Sequence, residues 1–340
     1  MAVTKITSAE VARRAGVSQS AVSRVFTPGA SASAKTVAKV RAAAQELGYR
    51  PNVLARAMVS GKSRIIGVIV AYLNNQFYPD ALEKLSNTLQ EQGYHVLIFM
   101  AANAASDIDR VVDEILDYQV DGIIAASVAM SSELSERCRA AGVPMVLFNR
   151  SQDDAQMSAV TSDNCAGGRK VADYLTGLGH RKIGYIAGWE GASTQRDREA
   201  GFIQGLADAG LQLRARAVGN FTTQGAQAAA RDMFDGISPD DRPTAVFVAN
   251  DHMALAVMDV VRFDLGLDVP GDVSIVGYDD VPAAAWRAYD MTTVRQPANR
   301  MVAQTVEILL DKIENPAAAP RRVEIDGPLI ERGSTRTIQG

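Results

Sequence analysis

Residues 16–26 read GVSQSAVSRVF, a stretch that is helical in pattern yet poor in what a buried helix needs. Val17, Val22 and Val25 offer an apolar stripe, but Ser18, Ser20 and Ser23 are weak helix formers with little apolar area. Short polar side chains let a helix backbone come close to a rigid surface, while Gln19 and Arg24 reach further. The flanks set the frame. Thr7-Ser8-Ala9-Glu10 has the T-x-x-E pattern of a capping box and predicts a helix start, with Val11, Ala12 and Ala15 as its inner face. Gly16 breaks that helix, and Ser18 caps a second one beginning at Gln19. A third helix is predicted over Ala34–Leu47, capped by Ser33 and stopped by Gly48, with Val37, Val40, Ala44 and Leu47 at spacings of three and four. Three short helices then share one small core, and the second leaves Gln19, Ser20, Ser23 and Arg24 on or beside its outer face.

Charge indicates what that face meets. The net charge of −4 over 340 residues divides near Lys62. Residues 1–62 hold ten Lys or Arg against two acids, Glu10 and Glu46, a net +8, whereas the remainder holds 25 bases and 37 acids, a net −12. A small basic module precedes a large acidic one, and +8 on so few residues is the footprint of a phosphate-binding surface. The surface proposed for the second helix is the DNA major groove, where amide and guanidinium groups pair with base edges and hydroxyls with phosphates.

The run Glu10-Val11-Ala12, Ala15-Gly16-Val17-Ser18, Ala21-Val22-Ser23-Arg24-Val25, followed by SAKT, ELGYRPN and ARAM, closely resembles the DNA-binding domain of the lactose-repressor/galactose-repressor (LacI/GalR) family. The resemblance covers essentially all of residues 5–62. By position it implies base reading by Gln19, Ser20 and Arg24, with Arg24 the bidentate partner of a guanine. Thr7, Ser18, Ser33 and Asn52 match phosphate-holding positions, although each can equally be only a helix cap. After Pro51 the family has a hinge that folds when two copies meet in the minor groove and insert an apolar wedge, usually Leu. Met58 holds that position here; it is similar in volume and more flexible, which bears on bend geometry and central-step preference.

From Ile65 onward, apolar runs alternate with amphipathic segments: IIGVIVAY, HVLIFM, GIIAAS, PMVLFN, then KIGYIAG, TAVFVAN, VSIVGYD and MTTVRQ. Continuous apolar runs between helical stretches such as Tyr78–Gln92 and Asp107–Tyr118 indicate parallel strands covered on both faces. The plan repeats about a midpoint near Thr161, so two doubly wound lobes are expected. Such sheets bind ligands beyond the carboxyl ends of their strands. The residues there are Asn75, Phe77 and Tyr78; Asn149 and Arg150; Arg198; Phe221; Asn250 and Asp251; Asp279; and Gln296. Planar hydrogen-bonding groups with aromatics suit a polyhydroxylated ring.

LGHRKIGYIAG, RDREAGF, AVFVANDHMALAVM and VSIVGYDD followed by MTTVRQP resemble the effector-binding core of the same family, which is similar to periplasmic sugar-binding proteins. The resemblance implies polar ligand contacts from Asn149, Arg198, Asn250, Asp279 and Gln296 and stacking by Phe77 and Phe221; Asn75 and Tyr78 join the candidate set from the strand-end reading alone. Family members often have Asp where Asn149 stands, so this cleft carries one less negative charge. Trp286 either closes the cleft or only packs against it.

The expected architecture is therefore α/β: a helix-turn-helix head at 1–50, a hinge at 51–63, and a periplasmic-binding-protein-type core at 64–335. Its first lobe is expected over about 64–160 plus 292–324, and its second over about 161–291 plus 325–335. Cys138 and Cys165 have no metal-ligand spacing, and His95, His180 and His252 are scattered, so no metal, cofactor or catalytic role is assigned. GGRK at 167–170 lacks P-loop spacing and suits helix packing better. The N-terminus lacks a signal-peptide h-region, no apolar run is membrane-length, and no heptad tail follows Asp326, so a cytoplasmic homodimer is expected. The reading is a transcription regulator, a repressor in preference to an activator, that binds a palindromic double-stranded DNA operator and a small-molecule effector, carbohydrate in class. A solute-binding protein would explain the cleft but not the basic head. A sugar-processing α/β enzyme would need an acid/base partner for Asp251 or Asp279, and the sequence names none.

Overall fold

A computed structural model describes residues 6–27, 30–50, 62–101, 105–128 and 132–338. The hinge stretch 51–61, with Asn52 and Met58, lies outside the described residues. The chain divides into two compact units, Met1–Arg64 and Ile65–Gly340.

The first unit is built from α1 (Ser8–Ala15), α2 (Gln19–Phe26) and α3 (Ala34–Leu47). Its ends are chemically closed. Thr7 Oγ1 accepts from the Glu10 amide at 3.4 Å while the Glu10 carboxylate accepts from the Thr7 amide at 2.7 Å. These hydrogen bonds from Thr7 hold the Glu10 carboxyl below its ordinary pKa. Gly16 ends α1 with φ 65°, a left-handed value that glycine adopts without steric cost. Val11, Ala12, Val22, Val40, Ala43 and Ala44 form the core, with Val17, Val25 and Leu47 packed around it.

In the second unit, β1 (Ile65–Val70), β2 (His95–Met100), β3 (Gly122–Ala126), β4 (Met145–Phe148), β5 (Ser158–Ser162) and β11 (Arg322–Ile325) form one sheet. Its order is β11-β5-β4-β3-β1-β2, all parallel. The second sheet, β12-β10-β9-β8-β6-β7, is made of β6 (Ile183–Ala187), β7 (Ala215–Val218), β8 (Ala245–Val248), β9 (Ser274–Asp279), β10 (Thr292–Arg295) and β12 (Leu329–Ile330). It is parallel except for the antiparallel edge strand β12. The helices are α4 (Phe77–Glu91), α5 (Ala105–Asp117), α6 (Ser132–Ala140), α7 (Asn164–Gly177), α8 (Ser193–Asp208), α9 (Thr223–Phe234), α10 (Asp251–Asp259) and α11 (Ala298–Glu314).

The chain passes between the sheets after β5, after β10 and after β11. Two boundaries therefore differ from expectation. Residues 292–295 pair with β9 in the second sheet, so the return to the first lobe comes after Gln296 rather than at 292. Ser158–Ser162 pairs with β4 and completes the first sheet instead of opening the second series. HVLIFM is an edge strand, not one covered on both faces, with Ile98 52% and Met100 49% exposed.

One close approach positions the site. A Cβ built on Gly168 of α7 would lie 2.0 Å from the Arg198 carbonyl oxygen, and one on Gly201 of α8 would lie 2.0 Å from the Cys165 carbonyl oxygen. The GGRK stretch thus lets two helix backbones touch, which fixes Arg198 at the cleft. Gly168→Ala should drive that crossing apart and destabilise the chain by about 2–3 kcal/mol. A melting temperature unchanged within a degree would show that the crossing yields freely.

Candidate functional site

In the head, Gln19, Ser20, Ser23 and Arg24 are all exposed on α2, opposite buried Val22. Gln19 Nε2 donates to Ser8 Oγ at 2.9 Å, tying α2 to the start of α1, and Arg24 Nε makes a 3.4 Å contact to the Ser20 carbonyl. Thr7, Ser18 and Ser33 are exposed N-caps, each accepting a helix amide. The head's exposed surface thus includes three N-cap hydroxyls, an amide and a guanidinium.

In the core, a narrow cavity of about 10 Å³ lies beyond the carboxyl ends of the strands. Its walls include seven of the nine expected residues: Asn75, Tyr78, Asn149, Arg198, Phe221, Asn250 and Asp279. Asp279 is the hub. Its carboxylate accepts from Asn75 Nδ2 at 3.0 Å and from Gln296 Nε2 at 2.7 Å, and Arg198 Nη2 stands 3.7 Å away. Asn75 is itself fixed, because its Oδ1 accepts from the Phe77 amide at 3.0 Å. Arg198 donates to Asn164 Oδ1 at 2.8 Å and to the Ala249 carbonyl at 2.6 Å, with its Cζ 3.6 Å from the Tyr278 ring centre. Asn149 Nδ2 donates to the Tyr78 hydroxyl at 3.0 Å, and that hydroxyl bonds Ser127 Oγ. Asn250 caps α10 through its Oδ1.

Gln296 thus sits behind Asp279 and lines another recess of about 370 Å³ with Phe77. Phe77 is not part of the cavity wall. It is buried against Phe148, ring centres 6.2 Å apart and 12° from parallel, because α4 turns the residue before Tyr78 toward the first lobe's core. Phe221 does reach the cavity, its ring lying over Gly188, where a Cβ would come within 2.2 Å of it. Trp286 is 57% exposed and lines no wall of the cavity. Tyr72, Ser127, Arg150 and Thr194 also line it. Arg150 is already among the strand-end residues; Tyr72 and Ser127 also follow a strand, so the rule that placed Asn149 applied to them too, whereas Thr194 sits on α8 and carried no such signal. Four wall residues have positive φ: Ser127 at 61°, Asn149 at 61°, Phe221 at 58° and Asp279 at 131°. Such backbone costs about 1–3 kcal/mol per residue and collects at ligand sites.

Residues 7–52 match the family described as bacterial regulatory proteins, lacI family, and residues 172–335 match a periplasmic binding protein-like domain. The HTH-type transcriptional repressor PurR of Vibrio vulnificus (strain CMCP6) is 30% identical over 332 residues, 97% of this chain and 98% of its own length. The chain belongs to the LacI family. A lac repressor dimer bound to operator and the anti-inducer ONPF superposes with a TM-score of 0.87 at 27% identity, covering 98% of this chain and 100% of that one. A complex of the transcriptional regulator CelR with cellobiose gives 0.73 at 31% identity, covering 97% and 100%. As a member of this family the chain is a DNA-binding transcription regulator and not an enzyme. Among the described residues no helix is long and apolar enough to cross a membrane.

Asp251, beside the cavity, is fully buried and accepts from Thr293 Oγ1 at 2.6 Å and the Val281 amide at 2.9 Å. Burial and then the Asp279 charge push its pKa up to about 7, against those two bonds. Burial likewise raises Asp279, opposed by Arg198, Asn75 and Gln296. A raised folded-state value means that Asp251 contributes stability fully below about pH 4, the unfolded value, and loses it as pH rises through about 7. Between about pH 5 and about pH 8 the melting temperature should fall more steeply for the wild type than for Asp251→Asn, by several degrees in scanning calorimetry. Parallel curves would show the carboxyl ionised throughout.

Proposed function

We propose that the chain is a homodimeric repressor, acting in the cytoplasm, that reads a palindromic operator with α2 and is controlled by a sugar or sugar derivative held between its lobes. The observation that carries this reading is the exposed Gln19, Ser20, Ser23 and Arg24 face, borne on a +8 head by the same chain that builds the polar two-lobed cavity. One eight-residue helix reads few base pairs, so two symmetric copies are needed for a specific site. In this reading Arg24 pairs with a guanine, Gln19 and Ser20 contact neighbouring bases, and Thr7, Ser18, Ser33 and Asn52 hold phosphates. Met58 in the 51–63 hinge is the minor-groove wedge.

The effector class rests on the cavity's chemistry and on the family's ligands, cellobiose with CelR among them. The cavity's volume, about 10 Å³, is far below the roughly 300 Å³ at which small-molecule sites begin, so this is a closed arrangement. Entry of a ring requires the Asn75–Asp279 bond and the Ser151 amide bond to Ser193 Oγ, 3.0 Å each, to open. Asn75, Tyr78, Asn149, Arg198, Phe221, Asn250, Asp279 and, from behind, Gln296 are assigned to the effector.

Selection of binding sites from random duplexes by the full chain should return a palindrome, and Arg24→Ala should relax one base pair per half-site at a cost of about 1–3 kcal/mol. An equal loss on every sequence would remove Arg24 from base reading. Operator affinity should fall steeply between low and physiological salt because phosphates dominate it. A flat salt response would contradict the assignment of the basic head.

A further inference from the structure

Arg150 follows β4 and is 4% exposed, yet its guanidinium is only partly used. Nη2 makes one long bond, 3.3 Å, to the Tyr72 hydroxyl, and Cζ stands 5.2 Å from the centre of the Trp189 ring. Nε and Nη1 are buried without a hydrogen-bond partner. The cavity's other cation, Arg198, faces Asp279, but among the described residues Arg150 has no carboxylate of its own. A buried Lys or Asp escapes such a position by becoming neutral; a guanidinium keeps its proton at any ordinary pH. An unpaired buried charge of this kind calls for a counter-charge from outside the chain. The next residue back, Asn149, adds a buried Oδ1 that accepts no hydrogen bond.

We infer that the effector is a polyhydroxylated monocarboxylate, a sugar acid of the aldonate or uronate class, whose carboxylate pairs with Arg150 and whose hydroxyl donates to Asn149 Oδ1. The inference rests on reading this cavity as the effector site. One cation in excess matches one carboxylate, whereas a phosphate monoester, at about −1.5 to −2 near neutral pH, would leave negative charge buried. Arg150 lines both the cavity and an open groove of about 660 Å³, so the carboxylate sits at the entrance end, and the hydroxyls face Asp279 and Asn250.

The test is calorimetric titration of the full-length chain with gluconate, galactonate, glucuronate and galacturonate, each beside glucose or galactose, and with glucose 6-phosphate. At least one acid should bind about 100-fold more tightly than its neutral counterpart, and Arg150→Gln should erase that preference. Without ligand, Arg150→Gln and Arg150→Met should melt at or above the wild type, because each removes an unpaired buried cation; a purely structural arginine would make both melt lower or fail to fold, which overturns the proposal. Neutral sugars that match their acids, and bind Arg150→Gln equally well, overturn it and leave the carbohydrate reading standing. Tighter binding of glucose 6-phosphate than of every acid overturns the carboxylate. No binding by any of these compounds overturns both readings.

Discussion

The two lobes meet on the carboxylate of Asp279. Taking that charge out of water is unfavourable, and the cost is offset only because Asn75 reaches it from the first lobe while Gln296 and Arg198 hold its other side. Its raised pKa shows that the offset is incomplete. Arg198 cannot drift to improve it, since the backbones of α7 and α8 touch at Gly168 and Gly201 and its guanidinium is already bound by Asn164 and the Ala249 carbonyl. A rigid crossing of two helices therefore sets the geometry of a charge cluster, and one amide from the opposite lobe completes it.

The head follows a different logic. Its core is six small or branched apolar residues, too little for a large margin of stability. Caps at Thr7, Ser18 and Ser33, worth about 1 kcal/mol each, are then a sizeable share of what keeps α1, α2 and α3 in register. The same hydroxyls lie on the exposed side, so the groups that stabilise the head are also those available to phosphate.

This difference explains what was legible in the sequence. Capping and glycine stops are local chemistry, and the predicted start at Gln19 and the bounds Ala34–Leu47 coincide with α2 and α3. Eight apolar runs of the core are likewise strands; for all but the edge strand β2, burial of most of the run leaves a near-continuous apolar pattern. Which sheet a strand joins is not local. MTTVRQ and AVTS look alike whichever lobe they enter, and β11 and β12, short and half-polar, gave no signal. The cavity-wall positions of Asp279, Asn250 and Asn149 were legible because strand ends face the cleft. Phe77 was misread because adjacent residues on a helix point about 100° apart, so Tyr78 in the wall puts its neighbour elsewhere.

The unsatisfied atoms of the cavity bear directly on how a ligand could work it as a switch. In the closed arrangement Asn149 Oδ1 and Arg150 Nε and Nη1 are buried in the cavity wall without partners. Each costs about 1–3 kcal/mol while it stays dry, and parting the lobes would return it to water. These atoms therefore favour the parted state, and in the proposed reading a bound effector satisfies them. A ligand acts only through such a difference between states. Three such atoms at the low end of that range give about 3 kcal/mol, about half of the roughly 5.5 kcal/mol that carries a two-state equilibrium from 1:99 to 99:1. In the proposed reading the cavity's own hydrogen-bond deficit is thus a sizeable share of what makes lobe closure depend on an effector.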